Sequence, residues 1–176
     1  MIPSSAADLE LLVTFRLLWN EPLIVLMPAD HRLVARDAIR PQDITEEQLI
    51  GVPHSTSPAL RAVTDAYAVT LGIDLTPDHL VDNLSMAMSL VASTGGIALM
   101  PLYARNLLPP TVVSRPLDGV PPTIDLSLGY NDANTSPLLR AIVSRIGELK
   151  FAAIRDPSYA GTRPATLIVT PRASGS

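Results

Sequence analysis

With 176 residues and 47% apolar side chains, the chain can build one domain with a true core and is too apolar for wholesale disorder. A formal net charge of −4, with scattered Arg and a single Lys (Lys150), excludes the basic patch that displaces counterions from nucleic acid or docks on an anionic membrane. The lack of Cys excludes disulfides, thiol nucleophiles and Cys-based zinc sites together.

Aromatic residues are only 4% of the chain, with one Trp, Trp19, so the core must come from Leu, Ile, Val, Ala and Met. Met1–Ser5 has no basic stretch leading into an apolar run, so no secretory signal is visible. The longest apolar stretches, Leu23–Met27 and Leu84–Ala92, fall far short of the ~20 residues that span a bilayer. A cytoplasmic location is the expectation.

In chain order, Leu9, Leu11, Leu12 and Val13 suggest a strand or the remnant of one. Leu23–Met27, set between Pro22 and Pro28, reads as a buried strand. Asp43-Ile44-Thr45-Glu46 has capping-box spacing and predicts a helical turn at 44–48 with Asp43 as N-cap. Leu49–Val52 reads as a strand, followed by Ser57 and Pro58, an N-cap and first-turn pair. Leu60, Val63, Tyr67 and Leu71 then share a helical face, and Gly72 stops the helix.

His79–Val81 forms a second strand. Asn83 or Ser85 caps a second helix, so apolar almost all round that deep burial is expected. Gly95-Gly96 ends it before a third strand, Ile97–Met100, closed by Pro101. Strand–helix–strand–helix–strand with short connections demands a parallel crossover arrangement. Val112–Arg115 is a further strand. Ile124, Leu126, Leu128 and Tyr130 alternate with polar or small residues, as in a half-buried strand at a sheet edge or crossover. Ser136-Pro137 repeats the helix-start signature before a stripe running from Leu138 to Leu149. Beyond Arg155 the pattern dissolves into Pro- and Gly-rich sequence with an isolated Leu167-Ile168-Val169, read as a mobile tail.

Three segments in this order carry a family resemblance. Phe15–Leu33, containing Asn20-Glu21-Pro22-Leu23 and Pro28-Ala29-Asp30-His31-Arg32-Leu33, resembles the crossover into the second lobe of the LysR-type effector-binding domain, with Arg32 where that family carries Pro. Val91–Pro101 is similar to its Val-Ala-x-Gly-x-Gly-Ile-x-Leu-x-Pro segment, and Leu126–Asn131 with Ser136–Arg140 to its return crossover and final helix. The resemblance covers about Phe15 to Lys150. It implies an α/β, periplasmic-binding-protein-like lobe with a mostly parallel βαβαβ sheet, plus a second, incomplete lobe. On that plan 1–22 is a remnant of the first lobe with the crossover strand, and 23–123 the complete second lobe. Residues 124–154 are the return strand and final helix of the first lobe, and 155–176 a disordered tail.

Family members open with a winged helix-turn-helix, a linker helix and the first half of lobe one. No match to these precedes Phe15, so apolar surface belonging against such strands is expected to lie exposed.

The resemblance implies a sensor of a small organic acid or metabolite, bound between two lobes, in a homo-oligomeric regulator that meets DNA through a helix-turn-helix outside this sequence. It places the effector against Pro53–Pro58. The residues agree: a helix start offers unpaired N–H groups and partial positive charge, Ser55, Thr56 and Ser57 add hydroxyls, and His54 adds charge when protonated. Equally, Ser57 can simply cap its helix. Asn83, at the end of the second strand, is a ligand-facing polar residue or a plain cap, and Tyr130 with Asn131 lines the hinge or packs in the core. His31, His54 and His79 share no metal-ligand spacing, and no metal or cofactor is expected.

No Gly-x-Ser-x-Gly, Walker or dinucleotide-binding glycine motif is present, and Gly95-Gly96 follows a helix rather than opening one. The expectation is a protein that is not an enzyme. A two-lobed solute-binding fragment and a nonfunctional remnant are the alternatives.

Overall fold

The structure, a computed structural model, describes residues 13–146. The start of the first expected strand, the end of the last helix and the Leu167–Val169 segment lie outside the described residues.

The backbone of the fold is one long strand, β1 (Val13–Pro28), which serves two neighbourhoods. Its second half pairs antiparallel with β4 (Ile97–Pro101) and β5 (Val112–Pro116), and its first half with β6 (Thr123–Asn131). Pro22, which cannot donate to a ladder, stands at the changeover. The β6 pairing ends at Pro22–Thr123 and the β4 pairing begins at Leu23–Pro101. A register shift between Leu17 and Trp19 marks a bulge in the first half.

The parallel part is β2 (Leu49–Gly51) flanked by β3 (His79–Leu80) and β4, giving the order β3-β2-β4-β1-β5. Helix α2 (Pro58–Leu71) connects β2 to β3, and α3 (Leu84–Thr94) connects β3 to β4. This is the expected strand–helix alternation. The parallel pairing stops at β4, because β1 and β5 both run antiparallel to their neighbours.

The second half of β1, β2 and β4 read as continuous apolar runs because the sheet is covered on both faces. Successive side chains point to opposite faces and enter two different cores. Ile24, Leu26, Ile50, Ala98 and Met100 belong to one, and Val25, Met27, Leu49, Ile97 and Leu99 to the other. Helix α3 packs Ala87, Met88 and Val91 into the first core. It is not buried all round as its sequence suggested. Met86 is 47% exposed, since a helix lying on one face of a sheet can hide only one of its own.

The capping-box expectation is corrected. The short helix α1 runs Pro41–Ile44, with Arg40 at the N-cap and Pro41 in the first turn. Asp43 is the third residue of this helix and not its N-cap, and its carboxylate pairs with Arg40 (2.7 Å) and Arg36 (3.1 Å). Arg32 pairs with Glu46 and Glu47, and His31 Nε2 lies 3.3 Å from Glu47. The acidic run is thus the anionic side of an ion-pair network. His31 also caps a 3-10 turn (Arg32–Ala35), its Nδ1 accepting from Leu33 N–H.

Helix α4 (Pro137–Arg145) buries none of its residues and is tied to β1 through Arg16, which donates to the Val143 carbonyl at 2.8 Å. Phe15 on β1 is 72% exposed and Leu138 on α4 71%.

Candidate functional site

Open parallel sheets place ligands beyond the carboxyl ends of their strands, where the connections diverge to either side. Strand β2 is that point, with β3 on one side and β4 on the other. A cavity of about 310 Å³ opens there, touched by Val52 after β2, by Asp82 and Asn83 after β3, and by Met100 and Pro101 at the end of β4.

Two helices start at this cavity. Ser57 is the N-cap of α2, yet its side chain makes no capping hydrogen bond, and Pro58 in the first turn has no N–H to satisfy. The Ser57 and Thr56 side chains, both on the cavity wall, are therefore not consumed by capping α2. Asn83 caps α3 fully: its Oδ1 accepts from Met86 N–H at 2.9 Å. The facing wall comes from the crossover strands, with Glu21 of β1 and Ile124, Asp125 and Leu126 of β6. Leu60, Ile124 and Leu126 give it an apolar lining.

Tyr103, in the 3-10 segment Leu102–Leu107 that follows β4, closes one side. Its backbone N–H donates to Glu21 Oε1 at 2.6 Å. Burial pushes the Glu21 carboxyl above its ordinary range, and the Tyr103 hydrogen bond pulls the other way without cancelling it. Asp125 accepts from Asn20 Nδ2 at 2.5 Å.

Of the residues singled out from sequence, Thr56, Ser57 and Asn83 are brought together on the cavity wall. His54 and Ser55 lie exposed in the turn before α2 and are not part of that wall. Tyr130 lies toward the far end of β6, opposite Thr14 and half-buried, also away from the cavity. Glu21, Asp82, Tyr103 and Asp125 were not anticipated. Asp82 adjoins Asn83 and could have been found by the same strand-end argument. Glu21, Tyr103 and Asp125 reach the site only through long-range strand pairing. His79 lies 2.9 Å from the Gln48 side-chain nitrogen on the sheet edge. Among the described residues no group of three or more His, Asp or Glu could hold a metal ion, and no helix is long and apolar enough to cross a membrane.

Residues 8–150 match the model of the LysR substrate binding domain. The chain belongs to the LysR substrate-binding domain family. It is 30% identical over 136 residues to the Hca operon transcriptional activator HcaR of Escherichia coli (strain K12), a match covering 74% of this chain and 44% of that protein. The chain thus spans less than half the length of this curated relative. In fold it is similar to the BenM effector binding domain with its effector benzoate (TM-score 0.70, 18% identity, 93% of this chain and 73% of that one). The effector binding domain of QuiR in complex with shikimate is similar at TM-score 0.64 and 20% identity, over 78% of this chain and 65% of that one. The α/β, periplasmic-binding-protein-like architecture is accordingly that of a LysR effector-binding domain, and the family is one of transcriptional regulators rather than enzymes.

Proposed function

We propose that this chain is the effector-sensing part of a LysR-type transcriptional regulator acting in the cytoplasm, and that it holds a small organic acid or related metabolite in the cleft at the strand ends. The observation that carries the reading is the convergence of two helix starts and three strand ends on one cavity of about 310 Å³. Backbone N–H groups and hydroxyls there fix a polar group, while Leu60, Ile124 and Leu126 cover an apolar body. Thr56, Ser57 and Asn83 are the proposed contacts. His54 and Ser55 stand in the adjoining turn, and Tyr130 further along the crossover strand β6. Binding changes how the crossover strands β1 and β6 sit against the strand ends, and the rest of the regulator reads that change out on DNA as a homo-oligomer.

The test is a chemical-shift map of the labelled chain against a panel of small metabolites. Shifts centred on Thr56, Ser57 and Asn83 support the assignment, and shifts centred elsewhere refute it. The chain itself, at a net charge of −4, is expected to give no retardation of duplex DNA in a gel-shift assay.

A further inference from the structure

The ladder between β1 and β4 has a continuation that is not made of backbone. Its register runs Leu26–Ala98, Val25–Leu99, Ile24–Met100 and Leu23–Pro101, and two steps further it would set Glu21 against Tyr103. The backbone pairing stops before that. β1 has passed to β6, with Glu21 opposite Ile124, and the chain after β4 has turned into the 3-10 segment Leu102–Leu107. The Glu21 carboxylate nevertheless accepts from the Tyr103 backbone N–H at 2.6 Å. A side chain thus carries the tie between β1 and the β4 side past the point where the ladder ends.

Tyr103 needs that acceptor. It is the second residue of its 3-10 segment, and first-turn N–H groups have no partner within their own helix. The N-cap, Pro101, makes no side-chain capping hydrogen bond. A carboxylate arriving from another strand meets the need, and an ionised acceptor makes a bond roughly twice as strong as a neutral one.

Both ends of the bond also border the cavity. Residues directly opposite on paired strands share a sheet face, and Glu21 and Ile124 are such a pair, both on the cavity wall. Tyr103 borders it from the segment after β4. The bond therefore spans the gap between the crossover strands and the strand-end wall, the two surfaces whose separation is the width of the cleft.

We infer that Glu21 is a positioning residue: its carboxylate clasps the crossover strands β1 and β6 to the segment after β4 and so sets how far the cleft stands open. A ligand entering beside Glu21 and Tyr103 meets both ends of the clasp, which couples occupancy to the setting of β1 and β6. That coupling rests on reading the cleft as the effector site, whereas the clasp itself does not.

Amide hydrogen exchange and residual dipolar couplings of the ligand-free chain test the clasp. In the parent the Tyr103 amide is expected to be protected, and one alignment tensor to fit β6 together with β2 and β4. Glu21→Ala is expected to speed Tyr103 exchange by at least about tenfold, the loss of a hydrogen bond to a charged group, and to require a separate tensor for β6. Glu21→Gln, which keeps an acceptor, is expected to restore the single tensor. A Tyr103 amide exchanging at the unprotected rate in the parent overturns the clasp without any variant, even if Glu21→Ala does not fold. Faster exchange in Glu21→Ala with a tensor still shared by all strands reduces the bond to a local cap and overturns the positioning role, as does a Glu21→Gln chain as loose as Glu21→Ala. None of these outcomes touches the effector reading, which stands or falls on the chemical-shift map.

Discussion

The Glu21 carboxylate on β1 accepts a 2.6 Å hydrogen bond from the backbone N–H of Tyr103. One bond thereby joins the strand that crosses between the two parts of the fold to the segment leaving β4, across the mouth of the cleft. Burial raises the Glu21 carboxyl above its ordinary value of 4.5. The folded protein therefore holds that proton more tightly than the unfolded chain. The stability this brings is complete below pH 4.5 and is lost as pH rises through the raised value. Glu21→Gln keeps an acceptor for Tyr103 and has no proton to lose. Its melting temperature should match the parent's at low pH and exceed it increasingly above pH 4.5, levelling off toward neutrality. Parallel melting curves with the same pH dependence in both proteins would refute this.

Asp43 shows the opposite sign. The Arg40 guanidinium, helped by Arg36, holds its carboxyl below the ordinary 3.8. That stability is present above 3.8 and is lost as pH falls through the depressed value. Asp43→Asn should cost about 1–2 kcal/mol at neutral pH, since a charged hydrogen-bond acceptor is removed from partners that stay in water. Urea unfolding over a pH series should show the gap between variant and parent closing below 3.8.

Gly96 is held by contact and Gly95 by conformation. A Cβ on Gly96 would stand 2.7 Å from the Gln48 carbonyl oxygen, backbone that also accepts from Ile97 N–H at 2.9 Å. Gly95 adopts φ +80° in open space. Gly96→Ala should cost about 1–3 kcal/mol because two paired strands must part to admit it. Gly95→Ala should cost about 1 kcal/mol, the ordinary penalty for a side chain in left-handed backbone. Denaturant midpoints of the two variants rank them.

The helix starts separate capping from binding. Asn83→Ala removes the acceptor for Met86 N–H and should lower stability by about 1 kcal/mol. Ser57→Ala removes no capping hydrogen bond and should stay within about 0.5 kcal/mol of the parent, while weakening whatever ligand the cleft holds. A large stability loss in Ser57→Ala would return that hydroxyl to a structural role.

Local signals are legible where chain neighbours decide the outcome. Ser57-Pro58 and Ser136-Pro137 do start helices, and Gly72 and Gly95 do end them in left-handed backbone. Asp43 departs from its expected N-cap place because the helix starts two residues earlier, at Pro41, and its carboxylate pairs with Arg40 and Arg36. Helix α3 departs from all-round burial because hydropathy cannot tell which of several apolar faces a sheet will cover.

Periodicity and punctuation, both set by the covalent geometry of a few neighbouring residues, were enough to establish the β2-α2-β3-α3-β4 alternation, and with it the cleft wall formed by Thr56, Ser57 and Asn83. Tertiary structure alone decided the opposite wall. Glu21 and Asp125 are far apart in the chain, and strand pairing between β1 and β6 carries both to the cavity, with a register set by hydrogen bonds between segments that share no local signal. Which strand residues complete the cleft is therefore a product of long-range pairing, invisible to any window of sequence short enough to be read for propensity.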